Sequence, residues 1–86
     1  MSDITVNLRF FASLRERLGE SDRLSLPAGS SVAAARDALL ARGGAHAEVL
    51  ARGRAVRAAL NQKMVAETAL LADGDELAFF PPVTGG

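Results

Sequence analysis

Two glycines, Gly85 and Gly86, end the sequence, shortly after the proline pair Pro81 and Pro82. A terminal carboxyl group has a pKa near ~3.5, so at pH 7 it is a poor electrophile that a separate enzyme must activate. Glycine has no Cβ and can thread a narrow channel, and the stretch from Pro81 to Gly86 spans ~20 Å when extended. The pattern therefore predicts a carrier whose reactive group is the Gly86 carboxylate. A frayed end without function is the alternative.

Other residues suited to chemistry are few. His46 has no second ligand-type residue at a useful spacing, so we predict a surface histidine rather than a catalytic or metal-binding one. Asp73, Asp75 and Glu76 resemble a fragment of a calcium loop, but the fragment is far shorter than such a loop and is typical of a turn. The absence of cysteine excludes disulfides, thiolate metal sites and a cysteine nucleophile. We expect no metal site, no bound cofactor and no active site formed by this chain alone.

Composition predicts a single globular domain over residues 1–82, with a tail at residues 83–86. Ten basic and ten acidic side chains cancel, which leaves no charge excess for nucleic acid. The densest basic cluster, formed by Arg52, Arg54 and Arg57, is interpreted as a solvated edge, with a partner contact as the alternative. No segment approaches the ~18 apolar residues of a membrane-spanning helix, and the N-terminus lacks a secretory pattern. We expect a cytoplasmic protein without membrane or nucleic-acid partners.

Alternation of apolar and polar residues predicts the strands. Residues 4–10 place Ile4, Val6, Leu8 and Phe10 on one face of a half-buried strand. Further strands are predicted over residues 22–26, 54–60, 64–65 and 76–80. Turns are expected at residues 61–63 and 73–75, because these segments are rich in turn-forming residues.

Helical spacing appears in two places. Phe11, Leu14 and Leu18 predict a short helix that ends at Gly19. The main helix follows Ser30 or Ser31, either of which can cap it. Its predicted buried stripe consists of Val32, Ala35, Leu39 and Leu40, and its predicted solvent face consists of Arg36, Asp37 and Arg42. Residues 45–53 are interpreted only as a helical turn.

This order of elements predicts an α+β fold, in which a mixed sheet packs on one main helix and a short extra helix follows the first strand. The arrangement looks like the β-grasp fold of ubiquitin. Phe11, Met64 and Phe80 are expected to point away from the core and to form an apolar patch near the tail. Such a patch would mark a protein interface, and closure of a second small core is the alternative.

The final fourteen residues, 73–86, resemble the C-terminal signature of the molybdopterin synthase small subunit, the MoaD family. The most specific part is the run Phe-Phe-Pro-Pro-Val-Thr-Gly-Gly at residues 79–86. Residues 58–65 are similar to the middle strand and turn of that family, and residues 6–19 are similar to its first strand and helix. The resemblance covers nearly the whole chain and is weakest across residues 41–54. Lys63 stands where the family more often has a small polar residue.

The resemblance implies a non-catalytic sulfur carrier. A ubiquitin-activating-type adenylyltransferase (MoeB-like) would use ATP to adenylate the Gly86 carboxylate, and a persulfide would convert it to a thiocarboxylate. The large synthase subunit (MoaE-like) would receive the tail residues Val83, Thr84, Gly85 and Gly86. Sulfur would pass there to cyclic pyranopterin monophosphate to form the dithiolene of molybdopterin. The implied partner interface consists of Phe11, Met64, Phe80, Pro81 and Pro82.

Two other functions remain open at this stage. One is a related ubiquitin-like sulfur carrier for thiazole synthesis or tRNA thiolation, with the same tail chemistry and another acceptor. The other is a plain β-grasp binding module whose tail has no role.

Overall fold

The computed structural model describes residues 3–51 and 53–81. The strands are β1 (Asp3–Phe10), β2 (Ser21–Pro27), β3 (Arg57–Leu60), β4 (Lys63–Val65) and β5 (Glu76–Phe80). The helices are α1 (Ser13–Leu18), α2 (Val32–Leu40) and α3 (Gly44–Val49). The predicted strands and helices are thus confirmed in type and order, with differences at their ends.

The strands form one mixed sheet of five, in the order β2-β1-β5-β3-β4. β1 pairs antiparallel with β2 and parallel with β5, where Phe10 lies beside Phe79. β5 also pairs antiparallel with β3, so the last of the described strands lies in the middle of the sheet. This topology is the β-grasp arrangement, and the α+β prediction is correct.

One face of the sheet forms the core with the helices. Along β1, burial alternates residue by residue, as the period-two pattern predicted. Phe10 and Phe79 lie in the centre of the core, with ring centroids 6.4 Å apart. From α2, Val32, Ala35 and Leu39 are buried against them, and Leu40 is partly buried.

Helix α2 begins as predicted and departs from prediction at Arg36. The Ser31 hydroxyl caps it by accepting a hydrogen bond from the Ala34 N–H. Arg36, expected in solvent, is only 4% exposed. Its guanidinium donates to the carbonyl oxygens of Leu50, Ala51 and Arg54, and further to the Glu67 carboxylate. A buried arginine is tolerated there because partners surround it.

The segment between α2 and β3 is more ordered than the sequence suggested. Residues 44–49 form the short helix α3, which buries Val49. Strand β3 begins at Arg57, not at residue 54 as predicted. The Arg54 N–H donates to the Ala51 carbonyl in a turn, and the Arg54 carbonyl accepts from Arg36, so these groups are not available to a sheet.

Two polar turns, at residues 61–63 and 73–75, meet at the start of β5. Asp73 accepts a hydrogen bond from the Thr5 N–H at 2.8 Å, and Gly74, with φ of 86°, donates to the Thr5 carbonyl. Asp75 accepts from the Ala72 N–H and the Asn61 side chain. These carboxylates are therefore engaged in turn hydrogen bonds, as the sequence analysis expected.

Candidate docking face

The sheet face opposite the helices carries the candidate site. Register places Arg9, Ala78, Ala59 and Met64 side by side across the four strands β1, β5, β3 and β4. Paired residues project from the same side of a sheet, so this row lies on the face away from the core. Ala78 and Ala59 are nearly buried at its centre, and Met64 at its edge is 57% exposed.

Two phenylalanines lie next to this row on the same face of the sheet, in a second row. Phe80 lies opposite Arg57 and is half-buried. The Phe11 N–H donates to the Phe79 carbonyl, which keeps Phe11 beside the end of β5. Phe11 is 42% exposed, and the Arg9 guanidinium lies 5.8 Å from its ring centroid. We call Phe11, Ala59, Met64, Ala78 and Phe80 the open-face patch.

The structure therefore places Phe11, Met64 and Phe80 on one side of the sheet, as the sequence pattern predicted. Pro81 follows directly and is half-buried. The predicted interface residue Pro82 and the predicted tail residues Val83, Thr84, Gly85 and Gly86 lie outside the described residues. The open-face patch ends at the point where the chain continues towards Gly86.

Arginines flank the open-face patch. Arg9 lies at one end of the first row and forms long ion pairs with Glu20, at 4.0 Å, and with Glu76, at 3.9 Å. Arg57 lies in the second row, beside Phe80. An apolar centre with a charged rim is the usual composition of a protein–protein interface.

A cavity of about 310 Å³ opens beside Pro81 on another side of the domain. Its apolar lining includes Leu14, Val49, Val56 and Pro81. Polar side chains complete the lining, namely Ser13, Glu16, Arg17 and Arg54. Arg17 forms a bidentate ion pair with Glu48, at 2.9 and 3.1 Å, which raises the pKa of Arg17 and lowers the pKa of Glu48.

The other residues singled out for chemistry are His46 and the acidic side chains. His46, predicted to lie at the surface, is partly buried in α3, and its Nε2 atom has no hydrogen-bond partner among the described residues. Within residues 3–51 and 53–81, no group of three or more acidic or histidine side chains could hold a metal ion. Of the helices in that part of the chain, none combines the length and apolarity needed to cross a membrane.

Sequence reasoning missed two residues of interest. Leu70 is 68% exposed and lies beside Ser31 at the start of α2, away from the open-face patch. Arg36 is the buried arginine described above. Its spacing from Val32 and Leu39 placed it on the apolar stripe of α2, and that spacing was the available signal.

Comparison with known proteins identifies the family. The sequence profile of the ThiS family matches residues 8–86. The molybdopterin synthase sulfur carrier subunit of Escherichia coli (strain K12) is 42% identical over 82 residues, covering 94% of this chain and 99% of that protein. This chain belongs to the family of molybdopterin synthase sulfur carrier subunits.

Solved structures place the carrier subunit among ubiquitin-like proteins. The crystal structure of SAMP1 from Haloferax volcanii has a TM-score of 0.77 and 31% identity, over 95% of this chain and 99% of that one. A complex of subunits 1 and 2 of the molybdopterin-converting factor from Helicobacter pylori contains a chain with a TM-score of 0.66 and 26% identity. That match covers 96% of this chain and all of the other.

Proposed function

We propose that this carrier subunit delivers sulfur to molybdopterin synthase as a thiocarboxylate on Gly86. The observation that carries the proposal is the 42% identity to the Escherichia coli molybdopterin synthase sulfur carrier subunit, over 99% of the length of that protein. The described geometry agrees with a carrier, because Asp73 and Asp75 are engaged in turn hydrogen bonds and Arg17 and Glu48 form an ion pair. The reactive group then belongs to the tail and not to a pocket.

The chemistry proceeds in balanced steps. A Gly86 carboxylate oxygen attacks the α-phosphorus of ATP, which forms an acyl-adenylate and releases pyrophosphate. A persulfide sulfur then attacks the acyl carbon, and AMP leaves. A second thiol cleaves the sulfur–sulfur bond, becomes part of a disulfide, and leaves the thiocarboxylate. On the synthase, sulfur transfer to cyclic pyranopterin monophosphate and addition of water restore the carboxylate. Two loaded chains are consumed for each dithiolene.

Both partners act on the same end of the domain. The ATP-using activating enzyme and the large synthase subunit each bind the open-face patch and take in Val83, Thr84, Gly85 and Gly86. Pro81 and Pro82 restrict the direction of this segment, because proline fixes φ. The carrier itself holds no cofactor, and ATP belongs to the activating enzyme. Arg9 and Arg57 at the rim favour partner surfaces that carry acidic groups around an apolar centre.

Intact-mass measurement tests the tail chemistry. Purified carrier is incubated with ATP, a MoeB-like activating enzyme and a persulfide source, and the product should gain the mass difference between sulfur and oxygen. The matched control is a chain with one alanine added after Gly86, which should stay unmodified. Equal loading of both chains would contradict the proposal, because sulfur would then not enter at the Gly86 carboxylate.

Acceptor tests separate the carrier branches. Loaded carrier is mixed with the large synthase subunit and cyclic pyranopterin monophosphate, and dithiolene formation is measured. Delivery only to a thiazole synthase or to a tRNA-thiolating enzyme would favour the alternative branch. Unchanged molybdopterin production in a strain whose carrier lacks Gly85 and Gly86 would favour a plain binding module.

A further inference from the structure

The cavity beside Pro81 has features that the docking face does not explain. Its volume of about 310 Å³ is at the lower end of the ~300–1,000 Å³ typical of small-ligand sites. Leu14, Val49 and Val56 supply an apolar lining, and Pro81 is part of the wall. The cavity is therefore suited to a short, narrow peptide segment and lies where the C-terminal segment leaves the sheet.

The rim of the cavity includes the Arg54 side chain, whose backbone is held in place by hydrogen bonds. The Arg54 N–H donates to the Ala51 carbonyl at 2.8 Å, and the Arg54 carbonyl accepts from the buried Arg36 at 3.1 Å. Arg36 also binds the carbonyl oxygens of Leu50 and Ala51, which holds the whole turn. The Arg54 side chain is thus presented from a rigid position on an otherwise exposed loop.

The described rim carries two arginines, Arg17 and Arg54, and one lining carboxylate, Glu16. Arg17 is paired with Glu48, and Arg54 is near enough to this carboxyl to contribute to its lowered pKa. Five residues, 82–86, follow Pro81. At ~3.3–3.6 Å per residue they span up to about 18 Å, which is enough to run along the cavity. Gly85 and Gly86 allow the tight backbone path that such a course needs.

We propose that the cavity beside Pro81 receives the chain's own C-terminal segment, with Val83 against the apolar lining and the Gly86 carboxylate beside Arg54. This inference rests on the proposed function for the identity of the reactive end, and it adds a resting state to it. In that state the carboxylate is held against its own domain. A partner must then displace the segment, which reduces the partner's apparent affinity by the fraction of chains in which it is held.

Nuclear magnetic resonance of the full chain tests the resting state. The amide resonances of Gly85 and Gly86 are compared between the wild type, the Arg54→Gln variant and the matched control Arg15→Gln, which changes an exposed arginine of α1 outside the cavity. We expect the wild type and the control to agree, and Arg54→Gln to shift both glycine resonances towards those of a free peptide with the sequence of residues 82–86.

The reciprocal experiment monitors the cavity. Deletion of Gly85 and Gly86 should shift the methyl resonances of Leu14 and Val56, whereas the methyl resonances of Leu26, in β2, should stay in place. Glycine resonances that match the free peptide in the wild type would overturn the inference. Shifts that disappear on dilution would also overturn it, because the occupant would then be a second copy.

The two proposals fail separately. Sulfur loading is measured by intact mass on the same samples. Normal loading in a chain whose glycines already match the free peptide would overturn the resting state and leave the carrier function standing. Glycine resonances that depend on Arg54, in a chain that cannot be loaded with sulfur, would support the resting state and overturn the carrier function.

Discussion

The Nε–H of Arg36 donates to the carbonyl oxygen of Leu50 at 2.8 Å, and both residues are buried. This bond joins the middle of α2 to the end of α3. The remaining guanidinium nitrogens bind Ala51, Arg54 and Glu67, so one side chain holds the connection that leads into β3. A planar guanidinium can satisfy several acceptors at once, which a lysine cannot do.

Loss of Arg36 should therefore be costly. Arg36→Met leaves the carbonyl oxygens of the 50–54 turn without their donor, and we expect the free energy of unfolding to fall by ~2–4 kcal/mol. Urea unfolding followed by circular dichroism measures the change. Arg15→Met, at an exposed position in α1, should change it by less than about 0.5 kcal/mol. Equal effects of the two substitutions would rule out the role given to Arg36.

The docking face can be tested with a charge substitution at its edge. Met64→Arg places a charge in the open-face patch, and we expect affinity for the large synthase subunit to fall at least tenfold, or about 1.4 kcal/mol. Leu70→Arg is the matched control, because Leu70 is also exposed but lies beside the start of α2. Calorimetric titration gives both affinities. A similar loss in both variants would mean that the open-face patch is not the contact.

The backbone of the β3–β4 hairpin is strained at Gln62, and one substitution should relieve this strain. Asn61 and Gln62 both have positive φ, at 50° and 71°, and asparagine followed by glycine is the preferred pair for such a turn. Gln62→Gly should raise the free energy of unfolding by roughly 0.5–1 kcal/mol, because glycine adopts this φ without a Cβ clash. Thermal unfolding checks the gain, and Gln62→Ala should show none. A stability loss in Gln62→Gly would contradict this view of the turn.

Acid should weaken the contact between β2 and the end of α2. The Arg23 N–H and the Arg42 guanidinium donate to Asp22, at 2.8 and 2.7 Å, and hold the pKa of this carboxyl below its usual value. A lowered pKa in the folded state gives stability above the unfolded pKa of ~3.9, and this stability is lost as pH falls through the folded pKa.

The size of the acid effect is limited by exposure. The side chains of Asp22 and Arg42 are 42% and 36% exposed, so we expect less than about 1 kcal/mol. Urea unfolding at neutral pH and near pH ~3 measures it. Asp22→Asn should lose less stability between the two conditions than the wild type, and Asp3→Asn should lose as much. An unchanged acid dependence in Asp22→Asn would contradict the assignment.

Local patterns sufficed for the order of the strands and for their buried faces, but not for the start of β3. The alternation of Ile4, Val6, Leu8 and Phe10 predicted β1 and its buried side, because period-two burial is a local property. The same reasoning placed Phe11 and Met64 outside the core. Docking by this face stays a prediction, as does the role of the tail.

Long-range hydrogen bonds could not be predicted from local sequence patterns. Arg36 was expected in water because of its residue type, but its partners lie 14 or more positions away along the chain. The start of β3 was misplaced for the same reason, since the Arg54 carbonyl is bound to Arg36. Helix α3 begins at Gly44 directly after Gly43, both glycines have positive φ, and the sequence of residues 44–49 lacks a clear apolar stripe.

The central position of β5 has a consequence for synthesis of the protein. Leu8 and Phe10 of β1 emerge from the ribosome before their neighbours Leu77 and Phe79, which are made 69 residues later. Until then the growing chain has a gap in the middle of its sheet, and its apolar residues remain accessible to chaperones and proteases. A product that stops short of Glu76 lacks this strand. Such a fragment leaves the edges of β1 and β3 that face β5 unpaired, which makes it prone to aggregation.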